Sequence, residues 1–230
     1  MIKFDGTNCL FLPSFSRNSV STYNIKKLFE DSFTIRTRVK IDWDKLKPNS
    51  EEQVKYGIVC LNGMDMGIFC NIEENKFTNE YRKCITAEIW TNVENGTAIR
   101  NDLMFEVKGD NKFLDIEFRY GKDKFIELLV DENWSKMHLR GDVVDYSESF
   151  LWIGCCNNNK DIPENLTGNL YGEMKKVIIT SGGKSFIDCD FTKDITMAHN
   201  VTDYKVYDYS GNANHLLKKF INDDGQLIIF

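Results

Sequence analysis

The sequence predicts an all-β fold, an antiparallel two-sheet β-sandwich, because apolar segments of strand length follow one another with turn residues between them. Of the 230 residues, 42% are hydrophobic and 13% aromatic, 16 are Phe and only 3 are Pro. Segments rich in phenylalanine and poor in proline are typical of strands that pack in two layers. No internal repeat or linker-like segment interrupts the series, so a single domain over residues 1–230 is expected.

The first half of the chain carries most of the strand signals. Residues 32–41 alternate apolar and polar side chains, the period-two pattern of a half-buried strand. Residues 56–61 are apolar almost throughout, which predicts a central strand, and Asn62-Gly63 then suits a tight hairpin turn. Further strands are predicted at residues 67–72, 84–90, 103–107, 112–119 and 124–131, with turns at Asn95-Gly96 and residues 120–123.

The second half continues in the same way. Strands are predicted at residues 150–154 and 166–179, and the one segment with helical character is 20–30. Gly182 and Gly183, between Ser181 and Lys184, favour a hairpin turn over a phosphate-binding loop, since the glycine spacing of such a loop is absent.

Charge and hydropathy exclude several classes of function. The formal net charge is −6 and the pI about 5.2, without the clustered Lys and Arg of a nucleic-acid-binding surface. The first residues lack the apolar core of a secretory signal, and no segment reaches the ~18 apolar residues of a membrane span. We therefore expect synthesis in the cytoplasm, no nucleic-acid partner and no membrane insertion.

The seven cysteines are odd in number and lie within predicted strands or as the adjacent pair Cys155-Cys156. Cysteines placed this way are more often buried, reduced thiols than a disulfide framework. Adjacent cysteines can bond to each other only through a strained ring, so the pair is interpreted as small residues at a strand end.

The two ends of the chain carry phrases that resemble the laminin-G-like, concanavalin A-like jelly-roll domains. Residues 4–8 (FDGTN) resemble the opening strand, and residues 207–215 (YDYSGNANH) resemble a tight turn into an edge strand. Residues 150–154 and 166–179 resemble two late strands of the same domains. The Ser-Gly-Asn phrase often lies near the start in this family, and a sandwich whose termini meet accommodates that permutation. The resemblance implies glycan or protein binding more often than catalysis.

The chain carries part of a carboxylate motif that is found in the same superfamily. Retaining glucanases there carry Glu-x-Asp-x-Glu on one strand, and a retaining mechanism needs two carboxylates about 5–5.5 Å apart. Here Phe113 stands at the first Glu position, while Asp115 and Glu117 remain. A strand with one solvated face is therefore favoured, no catalytic residue is assigned, and a glycan hydrolase or lyase is the least favoured function.

The resemblance also implies a structural calcium ion at the rim of the sandwich. Oxygen ligands on a glycine-containing turn would suit Ca²⁺, and the candidates are Asp208, Asn212 and Asn214. The alternative is that these side chains bond their own backbone as Asx turns. No other cofactor is expected.

Glycan binding requires an exposed aromatic side chain with amides or carboxylates nearby. Two groups near predicted strand ends meet this requirement: Trp90 with Asn92 and Asn95, and Trp134 with Asn133 and His138. A tryptophan in such a domain is more often part of the core.

Two functions follow from these observations. The favoured one is a non-catalytic recognition or adhesion module that binds carbohydrate on a phage virion or another extracellular surface. Its partner would be a glycan or a host surface. The alternative is a structural or decoration protein of a virion or larger assembly, with other virion proteins as partners and no glycan affinity.

Overall fold

The computed structural model describes residues 1–12, 28, 31–49, 55–61, 66–75, 78–93, 96–143, 151–156, 168–192, 205–206, 209–210, 216–221 and 227–229. Within them the strands are β1 (Ile2–Asp5), β2 (Asn8–Leu12), β3 (Phe33–Ile41), β4 (Pro48–Asn49), β5 (Tyr56–Leu61), β6 (Met66–Asn75), β7 (Glu80–Asn92), β8 (Ala98–Glu106), β9 (Leu114–Gly121), β10 (Phe125–Val130), β11 (Asn133–His138), β12 (Asp142–Val143), β13 (Leu151–Ile153), β14 (Tyr171–Ser181), β15 (Lys184–Asp190), β16 (Lys205–Val206), β17 (Leu216–Ile221) and β18 (Leu227–Ile229). A 3-10 turn spans Trp43–Lys45. No helix in these ranges is long and apolar enough to cross a bilayer.

The strands form two sheets, which confirms the predicted β-sandwich. Sheet 1 has the order β1-β14-β3-β9-β10-β11, with β15 beside β14. Sheet 2 has the order β12-β7-β6-β5-β13-β2-β17-β16, with β8 beside β7, β4 beside β6 and β18 beside β17. The pairings are antiparallel except for β4 with β6.

Sheet 1 has one apolar and one polar face, as the alternation in residues 32–41 predicts. In β3 the side chains of Phe33, Ile35, Val39 and Ile41 are buried in the core between the sheets. In β9 the buried side chains again alternate with charged ones. The charged side chains therefore lie on the outer face, away from sheet 2.

The centre of sheet 2 is buried on both faces. A second apolar cluster lies on its outer face and consists of Cys9, Phe11, Cys60, Phe69, Trp152, Cys155 and Cys156. The Phe11 and Trp152 rings stack at 5.5 Å between centroids. Burial on both faces explains why β5 is apolar without alternation, as predicted for a central strand.

The chain passes from one sheet to the other immediately after β1. Gly6 adopts φ 86° there, and the Asp5 carboxylate accepts hydrogen bonds from the Thr7 N–H (3.0 Å) and hydroxyl (2.6 Å). The next strand, β2, pairs with β17, so strands from the two ends of the sequence are neighbours. Of residues 207–215 the structure describes Tyr209 and Ser210, which bond to the backbone of β15.

Most predicted strands are confirmed, with differences at their ends. β6, β7 and β8 all begin before their predicted first residues, and β6 and β7 extend past their predicted ends. Gly182 and Gly183 form the predicted hairpin turn, with φ of 53° and 75°. β11 occupies residues 133–138, where the sequence pattern indicates only the vicinity of a strand end. The predicted helix at 20–30 lies outside the described residues apart from Leu28, which is buried.

All seven cysteines are buried, reduced thiols, as predicted from their positions in strands or at a strand end. Burial raises the pKa of Cys60 and Cys70 well above the ordinary thiol value and that of Cys84 to about 11. Because only the thiolate is nucleophilic, a raised pKa keeps a thiol unreactive at neutral pH. We expect Ellman's reagent to titrate less than one thiol per native chain at pH 7.5 and all seven in denaturant. Rapid reaction of native protein would contradict this packing.

Candidate binding face around Trp134

The two tryptophan groups predicted from the sequence lie on different sheets. Trp90 is in β7 of sheet 2, and Trp134 is in β11 of sheet 1. Asn92, at the end of β7, is exposed, whereas Asn95 lies outside the described residues. The structure therefore does not bring the two groups together.

Trp90 is half-buried and is held by a buried carboxylate. Its indole N–H donates to Glu88 Oε1 at 2.7 Å, and the other oxygen of the fully buried Glu88 forms an ion pair with Lys55. An indole fixed in this way supports the outer face of sheet 2 and offers a ligand little surface.

Trp134 is placed quite differently. Its side chain is 65% exposed, the highest value among the large hydrophobic residues that the structure describes. It lies opposite Leu129 of β10, on the outer face of sheet 1. His138 is exposed on the same face of β11, four residues along the strand, whereas Asn133 precedes Trp134 and faces the other way. Two of the three predicted residues thus share one face.

A hairpin fixes Trp134 in this position. The turn between β10 and β11 begins at Asp131, which adopts φ 52°. Its carboxylate accepts the Asp115 N–H at 3.0 Å and the Lys112 ammonium at 2.7 Å. Burial alone would raise the pKa of Asp131, but these hydrogen bonds lower it by a larger amount. The pKa of Asp131 therefore lies below its ordinary value. The ionised carboxylate ties the turn to β9 and holds the register of β11.

An aromatic ring and an ammonium group lie at the other end of the same face. Phe125 packs across Gly121 of β9, where a Cβ would collide with the ring. Lys136 Nζ lies 3.4 Å from the centroid of this ring and 3.3 Å from Glu127 Oε1. The position of Lys136 is thus set by a cation–π contact and an ion pair.

Five charged side chains from four strands form a continuous network beside Trp134. Arg36 Nε donates to Glu117 Oε2 at 2.6 Å, and Arg119 bonds to the other Glu117 oxygen. Arg119 also lies 3.3 Å from Glu127, which continues to Lys136. Cross-strand register places Arg36, Glu117, Leu129 and Trp134 in one row across sheet 1.

The network also bears on catalysis. Burial raises the pKa of Glu117, but hydrogen bonds from Arg36 and Arg119 outweigh it, and the net pKa is lowered. A general acid in glycoside hydrolysis requires the opposite, a carboxyl whose pKa is raised. Asp115 lies on the same face, 3.4 Å from Arg38. Both carboxylates of the glucanase-like motif are thus ion-paired on the outer face of sheet 1.

A shallow depression of about 80 Å³ joins these parts of the face. Its lining consists of Glu117, Arg119, Glu127, Leu128, Leu129 and Trp134. The depression thus has three apolar side chains and three charged side chains in its lining.

The calcium candidates Asp208, Asn212 and Asn214 lie outside the described residues, so that site stays a prediction. Among the residues that the structure does describe, no group of three or more His, Cys, Asp or Glu side chains is arranged to hold a metal ion.

The charged network is not apparent from the sequence. Its members lie far apart in the chain, and only the registers of β3, β9, β10 and β11 bring them together. The sequence does show that charged residues alternate with apolar ones in two strands. These are Glu117 and Arg119 in β9 and Arg36 and Arg38 in β3.

Neither a known protein family nor a curated protein matches the sequence. Similar solved structures include the binding domain of botulinum neurotoxin serotype D/C, with 14% identity and a TM-score of 0.41 over 74% of this chain and 39% of that chain. The binding domain of Paraclostridial Mosquitocidal Protein 1 has 15% identity and a TM-score of 0.39 over 75% and 40%.

An alginate lyase of Pseudomonas aeruginosa has 8% identity and a TM-score of 0.40 over 69% of this chain and 68% of that chain. The chain spans about two fifths of the length of the two toxin binding domains. At these identities and TM-scores the likenesses identify neither a family nor an activity for this chain.

Proposed function

We propose that the chain is a non-catalytic recognition module that binds carbohydrate on its Trp134 face. The observation that carries the proposal is the 65% exposure of Trp134 on a strand held by a hairpin. A large exposed indole offers a rigid apolar surface, and one face of a sugar ring is apolar enough to stack on it.

The neighbouring groups suit the polar edge of a sugar. Glu127 offers carboxylate oxygens that accept hydrogen bonds from hydroxyls, and Arg119 offers guanidinium donors. Both are held by ion pairs to other strands, so their positions are set before a ligand arrives. We place this activity in a jelly-roll domain of the laminin-G-like, concanavalin A-like kind, working on a virion or another extracellular surface.

Replacing Trp134 by alanine is expected to weaken glycan binding about tenfold to hundredfold, or about 1.4–2.8 kcal/mol, because an aromatic anchor contributes on that scale. The unfolding free energy should change by less than about 0.5 kcal/mol, since the side chain is exposed. A glycan array identifies a ligand, and isothermal titration calorimetry then compares the variants.

Tyr81→Ala is the matched control, since Tyr81 is an exposed aromatic residue on β7 of sheet 2. It should leave binding unchanged. An array without any response, run with calcium and again with chelator, would overturn the proposal and favour the structural role in an assembly. Binding that survives Trp134→Ala would place the site elsewhere.

A further inference from the structure

Resting on the proposed function, we infer that the Trp134 face selects anionic saccharides, those carrying a carboxylate or a sulfate ester. The five-residue network of Arg36, Glu117, Arg119, Glu127 and Lys136 exposes its cations to solvent more than its carboxylates.

The network begins and ends with a cation. Three cationic side chains alternate with two carboxylates, so the group carries one net positive charge. The chain as a whole has a net charge of −6, so the net charge of this network is opposite in sign to that of the whole chain. The local field, and not the distant acidic residues, acts on a ligand in contact, because salt screens charges beyond about 8–10 Å.

The cations are also the outermost groups. The Arg36 and Arg119 side chains are 49% and 48% exposed, whereas Glu117 and Glu127 are 12% and 21% exposed. The carboxylates are thus closer to the sheet than the guanidinium groups with which they form ion pairs. A ligand that approaches the sheet therefore meets cationic groups first.

The arginines retain capacity for a ligand. A guanidinium has five N–H donors, and Arg36 uses its Nε–H toward Glu117. Arg119 uses Nε toward Glu117 and one terminal nitrogen toward Glu127. Planar donor groups of this kind match carboxylate and sulfate oxygens in pairs.

The distances suit a short oligosaccharide. Trp134 and Arg36 stand in one row on strands β11 and β3, three strand spacings apart. At about 4.8 Å per spacing this is roughly 14 Å. One sugar ring can stack on the indole while the acidic group of a ring further along the oligosaccharide reaches Arg119 or Arg36.

The test is calorimetric titration of the full chain with oligosaccharides of equal length in three forms: neutral, uronate-containing and sulfated. We expect at least one anionic form to bind about tenfold or more tightly than the neutral one, with affinity that falls as salt rises. Comparison of the uronate-containing and sulfated oligosaccharides shows which acidic group the face binds more tightly.

Arg36→Gln and Lys136→Gln, at the two ends of the network, should each reduce this preference several-fold, because they weaken anionic binding more than neutral binding. Arg100→Gln is the control, since Arg100 pairs with Asp102 at 3.2 Å on sheet 2 and should have no effect. Circular dichroism melting checks that all three variants fold.

The outcomes separate the inference from the proposed function. Equal affinity for neutral and anionic sugars, lost in Trp134→Ala, would overturn the anionic preference and leave glycan binding standing. Anionic binding that is indifferent to Trp134→Ala or equally weakened by Arg100→Gln would mean non-specific attraction and would also overturn it. No binding to any saccharide would overturn the proposed function itself.

Discussion

Replacing Lys55 by methionine is expected to destabilise the fold by about 3–5 kcal/mol, because it leaves a buried carboxylate without its counter-charge. Glu88 is completely buried, and its two oxygens are taken by the Lys55 ammonium and the Trp90 indole N–H. Methionine keeps most of the length of the lysine side chain and removes the charge, so the change isolates the electrostatic part. Urea unfolding followed by fluorescence measures the loss.

Lys83→Met provides the control for this experiment. Lys83, in β7 of sheet 2, forms an ion pair with Asp110 in the turn between β8 and β9, and Asp110 is largely exposed. Exposed pairs contribute little, so this variant should lose less than about 1 kcal/mol. Equal stability of the two variants would show that Glu88 does not depend on Lys55.

A double variant then distinguishes a buried charge from a lost contact. Lys55→Met combined with Glu88→Leu removes both charges, and apolar replacement of a buried ion pair is often close to neutral. We expect the double variant to recover most of the stability that Lys55→Met loses. A further loss would instead indicate that the polar contacts of Glu88, including the one to Trp90, carry the stabilisation.

The sequence was sufficient to predict the sandwich because its strand pattern is local. In β3 the alternation of Phe33, Ile35, Val39 and Ile41 with polar residues is visible without any partner strand. β11 lacks such a pattern: its inward side chains are Asn133, Ser135 and Met137 at the edge of the sheet. It becomes a strand through pairing with β10, and pairing is not encoded in its own composition.

The candidate site likewise depends on contacts between distant residues, which a local sequence pattern does not show. Trp90 and Trp134 have similar local surroundings in the sequence, each with amides nearby. The structure separates them because the outer face of sheet 2 is covered around Glu88, whereas the outer face of sheet 1 is open at β11. Lys55 and Glu88 are 33 residues apart, and no local rule pairs them.

Trp152→Ala is expected to cost about 3–5 kcal/mol, the usual range when a buried large aromatic side chain is truncated. Trp152 is 2% exposed, stacks on Phe11 and lies in register with Cys60 in the cluster that covers the centre of sheet 2. The truncation leaves a cavity between β2 and β5, which rigid strands on both sides cannot close. Urea unfolding again gives the free energy.

The comparison with Trp134→Ala makes this result informative about function. If the two tryptophans have the separate roles assigned here, Trp152→Ala lowers stability and retains glycan affinity at temperatures where it is folded. Trp134→Ala does the reverse. A Trp152→Ala protein that is as stable as the wild type would mean that the cluster on the outer face of sheet 2 is not packed. That face would then be a second open surface, and the assignment of recognition to sheet 1 alone would no longer follow.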